Sequence, residues 1–161
     1  MSEGAKGVEW IEDRKKKRVG VKRETATQLL EDLVKRAKFI NGSDAFLYWV
    51  RRLEVFGSYV NSSKSKLGDL DILVELVRRE RDYDTYQKLA FQQACREAPP
   101  SWRYDFLKRL LWAELKVLRA LKDRHAALSL HGHEEADDLK RRGAITCQLV
   151  FLDETIEQWQ K

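Results

Sequence analysis

The chain has 161 residues, of which 43% are hydrophobic and 35% are charged, and its formal net charge is +5. This composition is typical of a globular protein and excludes a disordered chain, and the length suits one domain. No apolar run approaches the roughly 20 residues of a membrane-spanning helix, and the first residues lack the apolar core of a secretory signal. We therefore expect a cytoplasmic protein without membrane contact, and the positive charge favours an anionic partner.

Residues 1–24 form a polar N-terminal segment that contains a basic run at positions 14–18. Such a run could bind RNA phosphates, so a basic RNA-binding protein is one alternative function. A solvated tail explains the same charges, and we favour that interpretation. We expect residues 25–161 to form a single folded domain.

The clearest helical pattern runs from Thr25 to Ile40. Thr25 and Gln28 have the spacing of a capping box, and Asn41-Gly42 supplies a stop signal. Apolar residues recur at helical intervals and form one stripe. Its members are Ala26, Leu29, Leu30, Leu33, Val34 and Ala37. We expect this stripe to pack on the sheet that carries the residues described next.

Two apolar runs, one ending at Phe56 and one from Ile72 to Leu76, predict two strands. The polar segment between them begins with Gly57 and Ser58. A glycine directly after a strand lets the backbone approach a phosphate closely, and a serine hydroxyl adds a donor and an acceptor. Gly57 and Ser58 are therefore candidate phosphate-binding residues.

Asp69 and Asp71 lie at the start of the second predicted strand, separated by one residue. Because side chains alternate between the faces of a strand, both carboxylates are expected on the same face. Two adjacent anions repel each other, and a divalent cation bound between them removes that penalty. Mg²⁺ is commonly held by one or two carboxylates together with substrate phosphates. We therefore predict that Asp69 and Asp71 bind Mg²⁺.

Lys64 and Lys66 lie in the polar segment before these aspartates and are candidate phosphate contacts. Solubility explains the two lysines equally well, and both interpretations stay open. The residues Asn61-Ser62-Ser63 are typical of a turn, so we expect a short loop or a single helical turn here.

Gly57-Ser58 followed by Asp69-Leu70-Asp71 resembles the signature of the polymerase-beta-like nucleotidyltransferase superfamily. The sequence around these residues is similar to that of the minimal nucleotidyltransferases, and the close likeness covers residues 53–76. The resemblance implies Mg²⁺-dependent transfer of a nucleoside monophosphate from a nucleoside triphosphate, most simply ATP, to an acceptor hydroxyl. It implies that Asp69 and Asp71 are catalytic metal ligands. The implied nucleotide-binding residues are Gly57, Ser58, Lys64 and Lys66.

The resemblance also suggests partners. Small members of this type often act as the antitoxin half of a two-gene toxin pair, so a cognate toxin is one implied partner. The acceptor hydroxyl could belong to a protein side chain, to the end of a tRNA or to a small molecule. A homodimer is a further candidate assembly, because the longest predicted helix is apolar around much of its girth, as described below.

Two helices are predicted in the middle of the chain. The first is capped by Asp82 or Asp84 and ends near Glu97. Its predicted inward residues are Tyr86, Leu89, Ala90 and Ala94. The second spans 102–122 and is capped by Ser101. It is apolar around so much of its girth that it is either buried on several sides or pairs with a partner.

The resemblance implies a third carboxylate on a later strand, where it would act as general base and hold a second Mg²⁺. The strand predicted from Ala144 to Leu152 contains no acid, and Gln148 occupies the expected place. An amide cannot take up a proton at neutral pH. The nearest acids are Asp153, Asp105 and Glu114. This gap favours a second hypothesis, a catalytically degenerate interaction module with the same fold.

A short strand is predicted from Ala126 to Leu130, and His131, His133 and Glu134 follow it. These three side chains could bind zinc, but they lack an evident fourth ligand and begin a helix equally well.

The pattern as a whole predicts a mixed α/β (α+β) fold. A small mixed sheet would carry the Gly-Ser and Asp-x-Asp residues, with helices packed mainly on one face. Cys95 and Cys147 lie far apart in apolar surroundings and predict buried thiols in a reducing compartment, with one disulfide as the alternative.

Overall fold

A computed structural model of the chain describes residues 20–151, without the side chains of Val150 and Phe151. The basic run at 14–18 and Asp153 lie outside the described residues. The strands are β1 (Val21–Lys22), β2 (Tyr48–Phe56), β3 (Lys66–Leu67), β4 (Leu70–Arg78), β5 (Leu128–Gly132) and β6 (Cys147–Phe151). The helices are α1 (Arg23–Asn41), α2 (Ser58–Asn61), α3 (Tyr83–Glu97), α4 (Phe106–Lys122) and α5 (Glu134–Arg141).

The central sheet has the strand order β5-β4-β2-β6. Strand β2 pairs antiparallel with β4 on one side and with β6 on the other, and β4 pairs parallel with β5. Asp71 on β4 therefore lies between Phe56 on β2 and Ser129 on β5. Strands β1 and β3 form a separate small sheet, in which Lys22 lies opposite Lys66.

One face of the central sheet carries the hydrophobic core. Leu53, Val55 and Ile72 point to this face, where they pack with Leu33 of α1 and Val117 of α4. The side chains of these five residues are fully buried. Burial of this apolar surface is the main force that holds α1 and α4 on the sheet. Helix α3 packs on the outer side of α4.

The opposite face is only partly covered. Phe56 and Leu73 form a small apolar cluster with Ala136 of α5. By the alternation of the strands, Asp71 points to this same face. The predicted mixed α/β fold, with helices mainly on one face of a small mixed sheet, is confirmed.

Several predicted helix ends are corrected. Helix α1 begins at Arg23 and has no side-chain cap, so the expected capping box at Thr25 is absent. The reason is that Arg23 N–H donates to the carbonyl of Ser65, which extends the helix by contact with a distant loop. Helix α3 begins as predicted after Asp82, whose carboxylate accepts from Thr85 N–H. Leu89, however, is exposed rather than inward.

Helix α4 begins at Phe106 rather than at Trp102. Its cap is Asp105, whose carboxylate accepts from Lys108 N–H, and not Ser101. Ser101 belongs to a separate 3₁₀ turn, Pro100–Trp102, which the proline pair keeps out of the helix. The predicted burial of the cysteines is also wrong, because Cys95 and Cys147 are exposed, although both are free thiols as expected. Within residues 20–151, no helix combines the length and the apolar character needed to cross a bilayer.

Candidate active site

Gly57 connects the two halves of the Gly-Ser and Asp-x-Asp pattern. Its φ angle is +76°, and a β-carbon at this position would lie 2.8 Å from Asp71 Oδ2. Only glycine satisfies both conditions, because a side chain would be strained at this φ and would collide with the carboxylate. The pairing of β2 with β4 creates this contact, since Phe56 lies opposite Asp71. Ser58 then begins the single helical turn α2, which is one of the two alternatives expected for this segment.

Asp69 and Asp71 lie at the start of β4, as predicted. Asp69 directly precedes the strand, and Asp71 is its second residue. The Asp71 side chain is 32% exposed, so water and a ligand can reach its carboxylate while the Gly57 backbone covers one side of it.

His131 lies beside Asp71, and sequence reasoning did not assign it to this site. Its Nε2 atom is 3.2 Å from Asp71 Oδ1 and 3.2 Å from Ser129 Oγ. Its Nδ1 atom is 3.2 Å from Glu135 Oε2 on α5. The hydrogen bond to Asp71 raises the pKa of the His131 imidazole above its usual value, and burial opposes this rise.

The position expected for a third carboxylate is corrected. Gln148 lies on β6, which pairs with β2, and it lies opposite Glu54 rather than beside β4. The strand next to Asp71 is β5, where Ser129 lies directly opposite Asp71 and His131 lies two residues further along. An imidazole and a hydroxyl therefore stand where the family resemblance implied an acid.

The other acids considered from the sequence serve different purposes. Asp105 caps α4. Glu114 lines a cavity between α4 and α5, together with His131 and Glu134. Burial raises the pKa of the Glu114 carboxyl, and the nearby Glu134 carboxylate raises it further.

This cavity has a volume of about 1310 Å³ and adjoins the candidate site at His131. Several leucines contribute to its wall. They are Leu111, Leu115 and Leu118 of α4, with Leu130 of β5. Charged side chains, including Arg119, Lys122 and Asp137, also line it.

Arg23 holds the segment between α2 and β3, and its role was not visible in the sequence. Its guanidinium donates to the carbonyls of Tyr59 (3.0 Å), Lys64 (3.1 Å) and Ser62. The same group lies over the Tyr59 ring at 5.2 Å. Since Arg23 is separated from these carbonyls by 36 to 41 residues, only the fold reveals the contact.

Lys64 lies on this segment and Lys66 directly follows it, and both lysines are exposed. Lys66 belongs to β3, beside Lys22. A role for either lysine in phosphate binding stays a prediction.

Glu54 and Glu75 belong to an ion-pair network on the partly covered face. Arg52 lies 2.9 Å from Glu75 and 3.5 Å from Glu54, measured between the charged atoms. Lys140 of α5 lies 3.8 Å from Glu54, and His133 lies 3.9 Å from Glu75. The Lys140–Glu54 pair links α5 to the sheet, and with it Glu135.

The residues at Asp71 suit a metal–nucleotide complex. The glycine leaves room for the Asp71 carboxylate to lie directly against the backbone of the turn, and a carboxylate oxygen is a ligand type that Mg²⁺ prefers. Among residues 20–151, no group of three or more His, Cys, Asp or Glu side chains is arranged to hold a metal ion by itself. The zinc cluster considered at His131, His133 and Glu134 is therefore not formed within that range. Substrate phosphates would have to complete the coordination of a cation at Asp71.

Comparison with known proteins identifies the family. No curated protein and no solved structure matches the chain significantly. The family described as the nucleotidyltransferase domain matches residues 30–142, more than half of the chain and the part that contains Gly57, Asp69, Asp71 and His131. Because the match covers most of the chain and includes the glycine turn and the aspartate strand, the chain belongs to the nucleotidyltransferase domain family.

Proposed function

We propose that this protein is a Mg²⁺-dependent nucleotidyltransferase that uses a nucleoside triphosphate, most simply ATP. The observation that carries the proposal is the contact between Gly57 and Asp71, where a β-carbon would lie 2.8 Å from the carboxylate. This contact supports a site in which a phosphate group approaches the glycine backbone and shares a cation with the aspartates.

Each residue has a defined part in this proposal. Gly57 and Ser58 bind the triphosphate, and Asp69 and Asp71 hold the cation. Bound Mg²⁺ supplies charge neutralisation for the phosphates. The acceptor oxygen forms a bond to the α-phosphorus, the bond from that phosphorus to the bridging oxygen breaks, and pyrophosphate leaves. The acceptor proton passes to water. Positioning of the reacting groups supplies much of the rate.

The cavity beside His131 is the route that we propose for the acceptor. Its volume of about 1310 Å³ exceeds the range of roughly 300–1,000 Å³ that is typical of small-molecule pockets. Its wall combines leucines with both basic and acidic side chains, so it lacks the basic excess that the end of a tRNA would favour, and it suits a protein segment better. We therefore propose a protein hydroxyl as the acceptor, and a cognate toxin, a homodimer and a cytoplasmic location remain predictions.

Transfer of labelled nucleotide tests the proposal. The protein, isotope-labelled ATP and Mg²⁺ would be incubated with candidate acceptor proteins and, separately, with tRNA. We expect label on a protein acceptor and its loss with Asp71→Asn. Asp32→Asn is a matched control, because Asp32 is a partly exposed residue of α1 that pairs with Lys35. Equal transfer by the wild-type and Asp71→Asn proteins would contradict the proposal.

A second candidate is a nucleotide-binding interaction module that lacks turnover. It is favoured by the residues of β5, which present Ser129 and His131 beside Asp71 instead of a carboxylate. This candidate predicts that the folded protein binds Mg²⁺ and ATP without labelling any acceptor. Calorimetric binding combined with negative transfer assays would support it over the enzyme.

A further inference from the structure

The His131 ring is held in the way that metal-binding histidines are commonly held. Its Nδ1 atom lies 3.2 Å from Glu135 Oε2, and the Phe56 ring contacts it edge-on at 5.3 Å between centroids. A histidine that binds a metal through one ring nitrogen usually donates the other N–H to a carboxylate, which fixes its tautomer and orientation. In this protein the second nitrogen, Nε2, faces Asp71.

The separation of Nε2 and the Asp71 oxygen suits two ligands of one cation. Two donor atoms at about 2.1 Å from a metal ion and at a right angle to each other are about 3.0 Å apart. Asp71 Oδ1 and His131 Nε2 are 3.2 Å apart. Neighbouring coordination positions on one ion can therefore be filled with little movement of either side chain, once the cation replaces any proton on Nε2 and that proton passes to water.

We propose that His131 is a direct ligand of the cation at Asp71, so that the site prefers Mn²⁺ to Mg²⁺. This inference rests on the proposed function, because Asp69, triphosphate oxygens and water complete the coordination. Imidazole is a better ligand for transition metals than for Mg²⁺, which favours carboxylate, carbonyl and water oxygens. Glu135 is a positioning residue that acts through the His131 ring.

Direct detection of the nitrogen ligand is the first test. Pulsed electron paramagnetic resonance of Mn²⁺ bound with a non-hydrolysable ATP analogue reports ¹⁴N nuclei that coordinate the metal. We expect ¹⁴N modulation in the wild-type protein and in His125→Ala, and its loss in His131→Ala. His125 is a suitable control because it lies outside the site and pairs only weakly with Asp123, at 3.9 Å.

Calorimetry gives the matching affinities. We expect His131→Ala to weaken Mn²⁺–analogue binding by at least the roughly 10- to 100-fold that loss of an outer-shell partner causes, because it removes a direct ligand. Binding of the Mg²⁺ complex should weaken less. Glu135→Gln should weaken Mn²⁺ binding by about tenfold, because it disturbs the orientation of the His131 ring. The ¹⁴N signal should be altered but retained, because His131 Nε2 is still present.

His131→Asp separates loss of the ligand from loss of the fold. This variant replaces nitrogen by oxygen, so we expect it to bind both metal complexes, without ¹⁴N modulation and with the preference for Mn²⁺ lost. A wild-type complex with Mn²⁺ that shows no ¹⁴N coupling would overturn the inference, and so would unchanged Mn²⁺ affinity in His131→Ala. If either occurs while Mg²⁺ and the analogue still bind, the proposed function survives. Absence of binding with both metals would overturn the two together.

Discussion

Gly57 and Asp71 are packed so closely that the backbone of one residue occupies the space beside the carboxylate of the other. A β-carbon at position 57 would lie 2.8 Å from Asp71 Oδ2. The contact joins the end of β2 to the start of β4, which are antiparallel neighbours. It places the proposed phosphate-binding turn against the proposed metal ligand.

Substitution of Gly57 should therefore affect both stability and binding. We expect Gly57→Ala to lower the free energy of unfolding by about 1–3 kcal/mol, because the φ angle of +76° is strained for alanine. Binding of Mg²⁺ and ATP should also be lost, since the methyl group displaces Asp71. Gly68→Ala is the control, because no atom lies within 4 Å of its β-carbon position. Chemical denaturation and calorimetry would measure both effects, and equal behaviour of the two variants would refute this prediction.

Arg23 should control the order of the proposed nucleotide-binding segment. Arg23→Met removes its hydrogen bonds to the carbonyls of Tyr59, Ser62 and Lys64. We expect a loss of about 1–3 kcal/mol in stability, the scale of hydrogen bonds to a charged group. Amide hydrogen exchange should become faster in the segment from Ser62 to Lys66, and ATP binding should weaken.

Lys38→Met is the control for Arg23, because Lys38 is an exposed cation in the last turn of the same helix. It should leave exchange in the segment unchanged. If Arg23→Met also left exchange and binding unchanged, the proposed role of Arg23 would be wrong.

Glu114 should make the protein less stable as the pH rises. Burial and the neighbouring Glu134 raise the pKa of Glu114 in the folded state above its unfolded value. The folded protein therefore holds this proton more tightly, and stability falls as the pH rises from the unfolded pKa through the folded pKa. We expect Glu114→Gln to raise the melting temperature at neutral pH, with no gain at a pH below the unfolded pKa. Glu31→Gln, at an exposed site, is the control. A lower melting temperature for Glu114→Gln at neutral pH would contradict the prediction.

Asn41 should be essential for the junction between α1 and β2. Its buried side chain accepts from Val50 N–H at 2.8 Å and donates to Val50 C=O at 3.0 Å. Asn41→Ala leaves two backbone groups without these partners, at about 1–3 kcal/mol for each buried group. We expect a loss of about 2–4 kcal/mol in the free energy of unfolding. Denaturant titration would measure it, with the exposed Asn61→Ala as control. If Asn41→Ala lost less free energy of unfolding than Asn61→Ala, the Asn41 side-chain amide would not be needed at this junction.

Much of the fold could be predicted because its signals are local. The stripe of α1, the Asp82 cap and the turn at Ser58 depend on residues a few positions apart, and all three are present. The start of α1 and the start of α4 were placed wrongly. In the first case the deciding contact comes from Ser65, across a distance in sequence that no local pattern reports.

The sequence by itself determined that a glycine turn and two aspartates stand on neighbouring strands, because spacing and alternation are local properties of a chain. Only the tertiary structure decided which side chain faces Asp71 from the next strand. That strand is β5 rather than β6, and it brings His131 to Asp71 from 60 residues away. The physical reason is that strand order depends on how α4 and the sheet bury their apolar surfaces together, and this is a property of the whole chain.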